Sequence, residues 1–363
     1  MSTSIQQPAP DMLARHFEHF ATREFPGTSP LYEQLSWHIA RDSEILALAT
    51  HATSRPVPNL LLGAVHFLLL QGAEHPLAAF YPDISPGPVT NADPYPAFRS
   101  FCNGYAEEIK QLLQTQRVQT NEVRRCAILL PAFGIVAGQA RSRPLALIEI
   151  GASAGFNLLW DSYGYDYGTG RKYGNADSPV QLSCKPRGEI EPPIPEHFPH
   201  IVSRCGIDLQ PVNVYDQEAV DWLRALIWPE HTARVELLQH AVEAVRRDPP
   251  VIHRGDALEL LPEIMEEVPK DAVLCLYHTF VINQFPREAR ERFAMLMDTY
   301  GAKRDLFCIS IGAITAPPQL RLLAYQDGEK TEHLLANCSG HAQWIEWLAK
   351  NLFSPIDVDE GVS

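Results

Sequence analysis

The amino-acid sequence predicts an α/β protein in which a mainly parallel sheet with an antiparallel terminal hairpin follows an all-helical N-terminal domain. The first 140 residues or so carry apolar residues at helical spacing and show no strand-like alternation. From Pro144 onward, short apolar runs alternate with amphipathic stretches, which is the pattern of parallel strands joined by helices. Two later apolar runs flank Asp327-Gly328, a dipeptide typical of a hairpin turn.

The sequence predicts that the 363 residues form two domains with a flexible segment at each end. The N-terminal end is polar and proline-bearing and the C-terminal end is acidic, so we expect both to be flexible. The predicted segments are a flexible N-terminus (1–10), a helical domain (11–141), an α/β domain (142–353) with an insertion at about 163–203, and a flexible tail (354–363).

Local spacing and capping residues place the predicted helices of the first domain. Leu13, Phe17 and Phe20 are spaced as on one helix face. Ser29-Pro30 is typical of a helix start, because serine caps the first amides and proline suits the first turn. The predicted helices cover residues 12–24, 29–39, 42–51, 59–71, 97–113 and 121–141, with a proline-rich loop at 76–96.

The second domain is predicted as strands and helices in alternation. The predicted strands cover residues 145–150, 201–209, 251–253, 272–277 and 306–311, and the hairpin covers 320–326 and 331–337. The predicted helices cover residues 217–227, 232–247, 257–268 and 286–300. Within the insertion, residues 180–184 form a further candidate strand.

The charge and hydropathy of the chain exclude several classes of function. The formal net charge of −14 argues against a nonspecific grip on nucleic acid, which needs cations to neutralise phosphates. The basic pairs Arg124-Arg125 and Arg246-Arg247 are interpreted as solvated helix positions. No signal peptide is visible, and the longest apolar run, residues 60–70, is too short to cross a bilayer. We therefore expect a soluble cytoplasmic protein without membrane or nucleic-acid partners.

The seven cysteines are scattered, and no paired-cysteine or HExxH spacing occurs. Several lie in apolar runs, which indicates buried small side chains in a reducing compartment. We expect no metal site.

The loop after the first predicted strand carries the most informative motif. The segment Glu149-Ile150-Gly151-Ala152-Ser153-Ala154-Gly155 is rich in small residues that let a ligand approach the backbone, and the following helix would offer free N–H groups. Phe156-Asn157 follows where a phosphate-binding P-loop needs Lys-Ser/Thr, and the glycine offsets do not fit GxGxxG. The spacing resembles the Glu-x-Gly-x-Gly-x-Gly motif of class I methyltransferases, with Ser153 in place of the middle glycine. A tight turn without a ligand is the alternative.

That resemblance implies a Rossmann-like methyltransferase fold and an S-adenosylmethionine site with two further acids. Asp208 follows the second strand and would hold the ribose hydroxyls. Asp256, followed by Ala257, comes after the third strand and would accept from the adenine amino group. The alternatives are a turn residue at Asp208 and a helix cap at Asp256. Asp208 lies much farther from the glycine loop than is usual, because the insertion intervenes. This insertion is either a substrate lid or a structural flap on the sheet edge.

A second resemblance covers nearly the whole chain. Several segments look like an uncharacterised bacterial group, domain-of-unknown-function family 2332, and the likeness runs from about His16 to the last strands. It implies the same two domains and no particular reaction. The segments are Arg117-Val118-Gln119-Thr120-Asn121-Glu122, residues 149–160, Gly206-Ile207-Asp208-Leu209-Gln210-Pro211-Val212, Trp228-Pro229-Glu230-His231 and Arg254-Gly255-Asp256.

Candidate catalytic and substrate residues follow from the fourth strand and from one polar segment. His278 is the preferred general base, since imidazole titrates near neutrality, and a structural histidine is the alternative. Tyr277 and Asn283 are candidates to line an acceptor pocket. Asn121 and Glu122 either contact substrate or cofactor, or belong to a helix cap formed by Thr120 or Asn121.

Three hypotheses for function remain open at this point. The first is a methyltransferase that uses S-adenosylmethionine on a small-molecule acceptor. The second is a binding or regulatory protein of the same fold without transfer activity. The third is a different nucleotide-using enzyme with a Rossmann-like sheet. The sequence identifies neither the acceptor nor the oligomeric state.

Overall fold

The structure is a computed structural model that describes residues 9–85, 92–119, 121–312 and 316–350. The chain forms two compact units. Unit 1 comprises Met1–Thr120 and Tyr215–Gln239, and unit 2 comprises Asn121–Val214 and His240–Ser363. The predicted boundary at residue 141 therefore lies inside unit 2. The predicted tail and all but the last two residues of the predicted flexible N-terminus lie outside the described residues.

The elements follow the predicted order closely. The helices are α1 (Pro10–His19), α2 (Pro30–Ile39), α3 (Ser43–Ala49), α4 (Val57–Leu70), α5 (Tyr95–Gly104), α6 (Ala106–Thr115), α7 (Cys126–Gln139), α8 (Gln217–Ala225), α9 (Thr232–Arg247), α10 (Ala257–Glu267) and α11 (Arg287–Gly301). The strands are β1 (Leu145–Ile150), β2 (Gly164–Asp166), β3 (Lys172–Gly174), β4 (Gln181–Ser183), β5 (Lys185–Arg187), β6 (Ile201–Asp208), β7 (Val251–Arg254), β8 (Val273–Thr279), β9 (Leu306–Gly312), β10 (Gln319–Gln326), β11 (Glu329–Cys338) and β12 (Trp344–Trp347).

The described part of unit 1 is helical, and its helices begin where capping residues satisfy the first amides. Ser29 accepts from the backbone N–H of Tyr32 at the start of α2, and Asp42 caps α3 in the same way. The apolar faces of α1 to α6 pack around one core, to which α8 contributes Trp222 and Ala225. The predicted helices at residues 29–39 and 42–51 are confirmed to within two residues at their ends.

Unit 2 is built on a nine-stranded, mostly parallel sheet with the order β5-β12-β11-β10-β9-β8-β1-β6-β7. Strands β7, β6, β1, β8 and β9 are mutually parallel. From β1 the chain moves outward to β6 and β7, then returns to β8 on the other side of β1. Such a reversal leaves a crevice at the carboxyl ends of the strands, where ligands bind in open α/β sheets.

The antiparallel part of the sheet begins at β10. Strands β10 and β11 form the predicted hairpin, and Asp327 (φ 51°) and Gly328 (φ 83°) occupy the left-handed region that a two-residue hairpin turn requires. Because β10 is antiparallel to both β9 and β11, strand β11 runs parallel to β9. The turn after Cys338 therefore lies at the same edge of the sheet as the carboxyl ends of β1 and β8.

Both faces of the central strands are covered, which explains why all six residues of β1 are buried. On one face Phe133 of α7 stacks on Trp160 and contacts Tyr277 edge-on. On the other face α10 and α11 pack against Ile148 and Leu276. The apolar helix predicted at residues 121–141 is thus a layer of unit 2, preceded by a short 3₁₀ turn at Val123–Arg125.

The insertion is built into unit 2 by its tyrosines. Tyr163, Tyr165 and Tyr167 are buried, and their hydroxyls donate to the backbone carbonyls of Phe156, Trp160 and Ala127. Strands β3, β2 and β4 form a small separate sheet, and β5 pairs with β12 at the edge of the main sheet. These contacts favour the structural flap over the substrate lid.

One expected element has a different form. The segment that follows the loop is a 3₁₀ stretch, Phe156–Ser162, with a non-helical Leu159 inside it, and not an α-helix. A 3₁₀ stretch that is interrupted by a non-helical residue does not align its peptide dipoles along one axis as a long α-helix does. The free helix N-terminus expected after the loop is therefore not provided by this segment.

No described helix is long and apolar enough to cross a membrane. All seven cysteines are free thiols, and six of them are buried.

Candidate functional site

The loop between β1 and the 3₁₀ stretch lies at the carboxyl edge of the sheet and has a left-handed backbone at three positions. Gly151 (φ 76°), Ser153 (φ 50°) and Gly155 (φ 80°) all have positive φ. A Cβ on Gly151 would meet Val281 Cγ2 at 2.3 Å, so only glycine fits there. Serine at a left-handed position is strained, and such strain is concentrated at functional sites.

Asp208, at the end of β6, holds this loop in place. Its Oδ2 accepts the backbone N–H of Ser153 at 2.8 Å, and its Oδ1 accepts that of Gln210 at 2.8 Å. Gly206, two residues earlier, lets the loop approach β6, because a Cβ there would meet Ala152 Cβ at 2.4 Å. The acid predicted after the second strand is therefore joined directly to the loop despite the 55 residues that separate them.

Glu149 lies beneath the loop with a network of buried polar groups. It is 1% exposed, and its Oε1 accepts from Asn157 Nδ2 at 2.8 Å. Asn157 in turn accepts from Cys126 Sγ through Oδ1 and from the Tyr277 hydroxyl through its backbone carbonyl. Among the described residues, Glu149 Oε2 has no hydrogen-bond partner.

Burial raises the pKa of the Glu149 carboxyl to about 8. The Asn157 amide opposes this rise because it donates to the carboxylate, and the negative charge of Asp208 adds to it. The positive charge of Arg125 acts in the opposite direction.

Arg125 closes the other side of the site at the end of β8. It is 8% exposed, and it donates to Thr279 Oγ1 at 3.2 Å and to the Gly340 carbonyl at 3.3 Å. Its guanidinium also lies over the Phe280 ring, 4.5 Å from the centroid. The expectation that Arg125 is a solvated helix position is therefore wrong, because its side chain bonds to groups from two distant segments.

Phe280 is the second strained residue at this edge. It has φ 59°, and its backbone N–H donates to the Ile311 carbonyl at 2.7 Å. A bulky non-glycine residue in the left-handed region is rare and needs surrounding contacts to hold it. Arg125 supplies such a contact through its position over the ring, so two strained residues, Ser153 and Phe280, follow adjacent strands of the sheet.

Glu122 and His341 meet beside Arg125. Glu122 is buried, its Oε2 lies 3.4 Å from His341 Nδ1, and Oε1 accepts the backbone N–H of Arg124 at 3.4 Å. Glu122 therefore caps the 3₁₀ turn that precedes α7. Nδ2 of the neighbouring Asn121 is buried without a hydrogen-bond partner among the described residues. The alternative cap at Thr120 falls on a residue outside the described part of the chain.

His278 and Asn283 complete the predicted site residues at the fourth strand. Burial lowers the pKa of His278 to about 4, and its Nδ1 has no partner within the described ranges. His278 pairs in register with Ile150, and its ring contacts Phe293 of α11 edge-on. Because side chains alternate along a strand, His278 and Tyr277 lie on opposite faces of the sheet. Asn283 is exposed, with its amide against Gly312 at the end of β9.

Tyr277 has no exposed surface, and its hydroxyl is bonded to the Asn157 carbonyl. It supports the network under the loop and does not line a surface pocket. Asp256 accepts the N–H of Leu258 at the start of α10, and Ala257 is buried in the first turn. The cap expected as the alternative for Asp256 is thus present, and Asp256 is exposed at the end of a strand next to β6.

The structure brings together Glu149, Gly151, Ser153, Gly155 and Asp208, which sequence spacing had singled out. Arg125, Asn157 and His341 were missed. Asn157 could have been found, because it follows the Glu149–Gly155 motif by two residues and lies eight residues after Glu149. Arg125 and His341 carry no local signal, since their partners are distant in the sequence. Over the described ranges, no group of three or more His, Cys, Asp or Glu side chains is placed to hold a metal ion.

Comparison with protein families identifies the class of this chain. Residues 14–347 match the model for uncharacterized proteins conserved in bacteria (DUF2332). The chain therefore belongs to that family. Searches for similar proteins found no match among curated proteins and none among solved structures.

Proposed function

We propose that this protein is an S-adenosylmethionine-dependent methyltransferase that acts on a small-molecule acceptor. The observation that carries the proposal is the bond between Asp208 and the backbone of Ser153 in the left-handed loop after β1. This pair lies at the carboxyl edge next to the reversal of strand order, where cofactors bind in open α/β sheets.

The fold proposed with this function is a Rossmann-like methyltransferase fold preceded by a helical domain. The order β7-β6-β1-β8-β9 of the parallel strands supports it, as does the antiparallel hairpin that follows β9. Numbered among themselves in chain order, these five parallel strands have the order 3-2-1-4-5 found in doubly wound sheets.

The residues present fit S-adenosylmethionine better than a phosphate-bearing nucleotide. A dinucleotide site places its pyrophosphate on the N-terminus of an α-helix, and here the loop leads into an interrupted 3₁₀ stretch. In the same region Ser153 Oγ is buried without a partner within the described residues, as is Glu149 Oε2. Hydroxyl and carboxyl groups of this kind suit the amino and hydroxyl groups of a nucleoside linked to an amino acid.

When bound, S-adenosylmethionine supplies a sulfonium methyl group that a nucleophile can take in line. The residues of this chain would hold and orient the reactants, which carries much of the rate in such a transfer. Gly151, Ser153 and Gly155 would bind along the cofactor, with Asp208 and Asp256 near its ribose and adenine. Asn121, Glu122 and Asn283 are the proposed acceptor contacts, and Tyr277 supports Glu149 from below.

His278 is the proposed proton acceptor from the substrate. Since burial lowers its pKa to about 4, the imidazole is neutral at neutral pH and has a lone pair to accept a proton. A pKa this low makes it a weak base, so we expect His278→Gln to slow turnover modestly while cofactor affinity stays unchanged.

The test is calorimetric titration of S-adenosylmethionine into wild type, Asp208→Ala and Asp256→Ala. We expect saturable binding that Asp208→Ala weakens at least about tenfold, a change of about 1.4 kcal/mol. Asp256→Ala removes a helix cap at an exposed position, so it should weaken binding less. If folded wild type did not bind S-adenosylmethionine, the proposal would be refuted. Binding without release of the demethylated cofactor, during incubation with metabolite extracts, would favour the binding protein without transfer activity.

A further inference from the structure

Two carboxyl groups on one face of the sheet have different surroundings. Glu149 pairs in register with Gly206, two residues before Asp208, so Glu149 and Asp208 point to the same face. Each Asp208 carboxyl oxygen accepts one backbone N–H group, that of Ser153 or that of Gln210. Glu149 is almost fully buried and has one bonded oxygen and one without a partner among the described residues.

We propose that Glu149 carries a proton in the ligand-free protein and releases it when a positively charged ligand binds at the Gly151–Gly155 loop. Glu149 would then determine specificity, because the site gains affinity for a cationic ligand over a neutral one of the same shape. This inference rests on the proposed function, since it takes the sulfonium cofactor as the cationic ligand.

The physical basis is the cost of a second buried negative charge. An unpaired carboxylate away from water is unfavourable, and the nearby Asp208 charge adds repulsion. A positive charge brought to the loop would offset both and make the carboxylate stable. The ionisable groups that face Glu149 from the neighbouring segments are Arg125, Cys126, Tyr163, Asp208 and Tyr277.

Those neighbours do not already neutralise Glu149. The positive charge of Arg125 acts on Glu149, and the Arg125 guanidinium also bonds to Thr279 and Gly340 and lies over Phe280. Burial raises the pKa of the Cys126 thiol and the Tyr163 and Tyr277 phenols well above their ordinary values, so these groups stay neutral. Since the pKa of Glu149 is raised to about 8, one added positive charge can move its proton equilibrium at neutral pH.

The proton balance is simple. One proton leaves the Glu149 carboxyl and passes to the buffer, its electron pair stays on oxygen, and no covalent bond to the ligand forms. S-adenosylhomocysteine is the matched neutral probe, because its thioether lacks the positive charge of the sulfonium.

The experiment is calorimetry at pH 7 in buffers of different ionisation enthalpy, with S-adenosylmethionine and S-adenosylhomocysteine as probes. We expect release of close to one proton on binding the sulfonium cofactor, and much less on binding the thioether. The variant Glu149→Gln should release none with either probe. Its preference for the sulfonium cofactor should also lose its dependence on pH between 6 and 8. Glu329→Gln, the matched change at an exposed position of the β10–β11 hairpin, should behave as wild type.

Binding of the sulfonium cofactor without proton release would overturn this inference and leave the proposed function standing. Equal proton release with both probes that persists in Glu149→Gln would also overturn this inference and leave the proposed function standing. No binding of either probe by folded wild type would overturn both. If Glu149→Gln does not fold, infrared difference spectroscopy on wild type decides, because the band of a protonated carboxyl should disappear when the sulfonium cofactor binds.

Discussion

Asp208 Oδ2 accepts the backbone N–H of Ser153 at 2.8 Å and thereby ties the end of β6 to the loop that follows β1. Ser153 returns a second link to the same segment, because its carbonyl accepts the N–H of Val212. The left-handed loop is therefore held on both sides of Ser153 by residues that follow the neighbouring strand.

Asp208→Ala should destabilise the protein by about 2 kcal/mol, because two backbone amides lose a charged acceptor. Urea unfolding followed by circular dichroism measures this loss. The matched control is Asp256→Ala, which removes a single helix cap and should cost about 1 kcal/mol. If Asp208→Ala lost no more stability than Asp256→Ala, water would have to replace the two hydrogen bonds that the Asp208 carboxylate accepts.

Gly151→Ala should lower the stability of the fold by more than the strain of a positive φ alone explains. The added Cβ would meet Val281 Cγ2 at 2.3 Å, in addition to the strain of a positive φ. Gly168→Ala is the control, because Gly168 has nearly the same φ of 74° with no atom within 4 Å of its Cβ position, and it should lose about 1 kcal/mol. The double variant Gly151→Ala, Val281→Ala should recover part of the difference in thermal unfolding. No recovery would assign the whole cost to the backbone.

Ser153→Ala should raise stability while it lowers ligand affinity. Ser153 Oγ is buried without a hydrogen-bond partner within the described residues, and such a group costs about 1 kcal/mol or more. Removal of the hydroxyl should therefore stabilise the ligand-free fold by about that amount. Calorimetry with S-adenosylmethionine should show weaker binding, because the variant lacks the hydroxyl that is proposed to contact the ligand. Unchanged affinity would mean that the hydroxyl does not contact the ligand.

Glu149 should make stability fall as pH rises. Its pKa is raised to about 8 in the folded protein from an ordinary value of 4.5. Between these values the folded state holds a proton that the unfolded state has lost, so the free energy of unfolding decreases with pH. Relative to Glu149→Gln, which keeps an oxygen for Asn157, wild type should lose on the order of a few kcal/mol from pH 4.5 to pH 8. Urea titrations at intervals across this range measure the difference, and a constant difference would contradict the raised pKa.

Arg125→Lys should destabilise unit 2 by about 2 kcal/mol although the charge is kept. A lysine ammonium cannot reproduce the planar arrangement that reaches Thr279 and Gly340 and covers Phe280. Arg124→Lys is the neighbouring control and should change the unfolding midpoint little. Loss of order at Phe280, seen as changed amide exchange of residues 279–281, should accompany only the Arg125 variant. Equal effects of the two variants would refute the role given to Arg125.

The type and order of the elements in unit 2 could be predicted from the sequence because they depend on local periodicity. Strand β1 has its predicted limits, and β8 lies within two residues of its predicted limits. The turn at Asp327-Gly328 was equally local, since its backbone angles are set by those two residues. The same holds for the Gly151–Gly155 loop, where small residues follow directly after a strand.

Only the tertiary structure decided which polar groups are buried and what they contact. Arg125 is bonded to Thr279 and Gly340, 154 and 215 residues away, and Asp208 to Ser153, 55 residues away. The return of residues 215–239 to unit 1 and the pairing of β5 with β12 also depend on distant segments. Local sequence determines backbone preference, but burial and hydrogen-bond partners are chosen by the packing of the whole chain, because their free energies depend on groups brought together only in the fold.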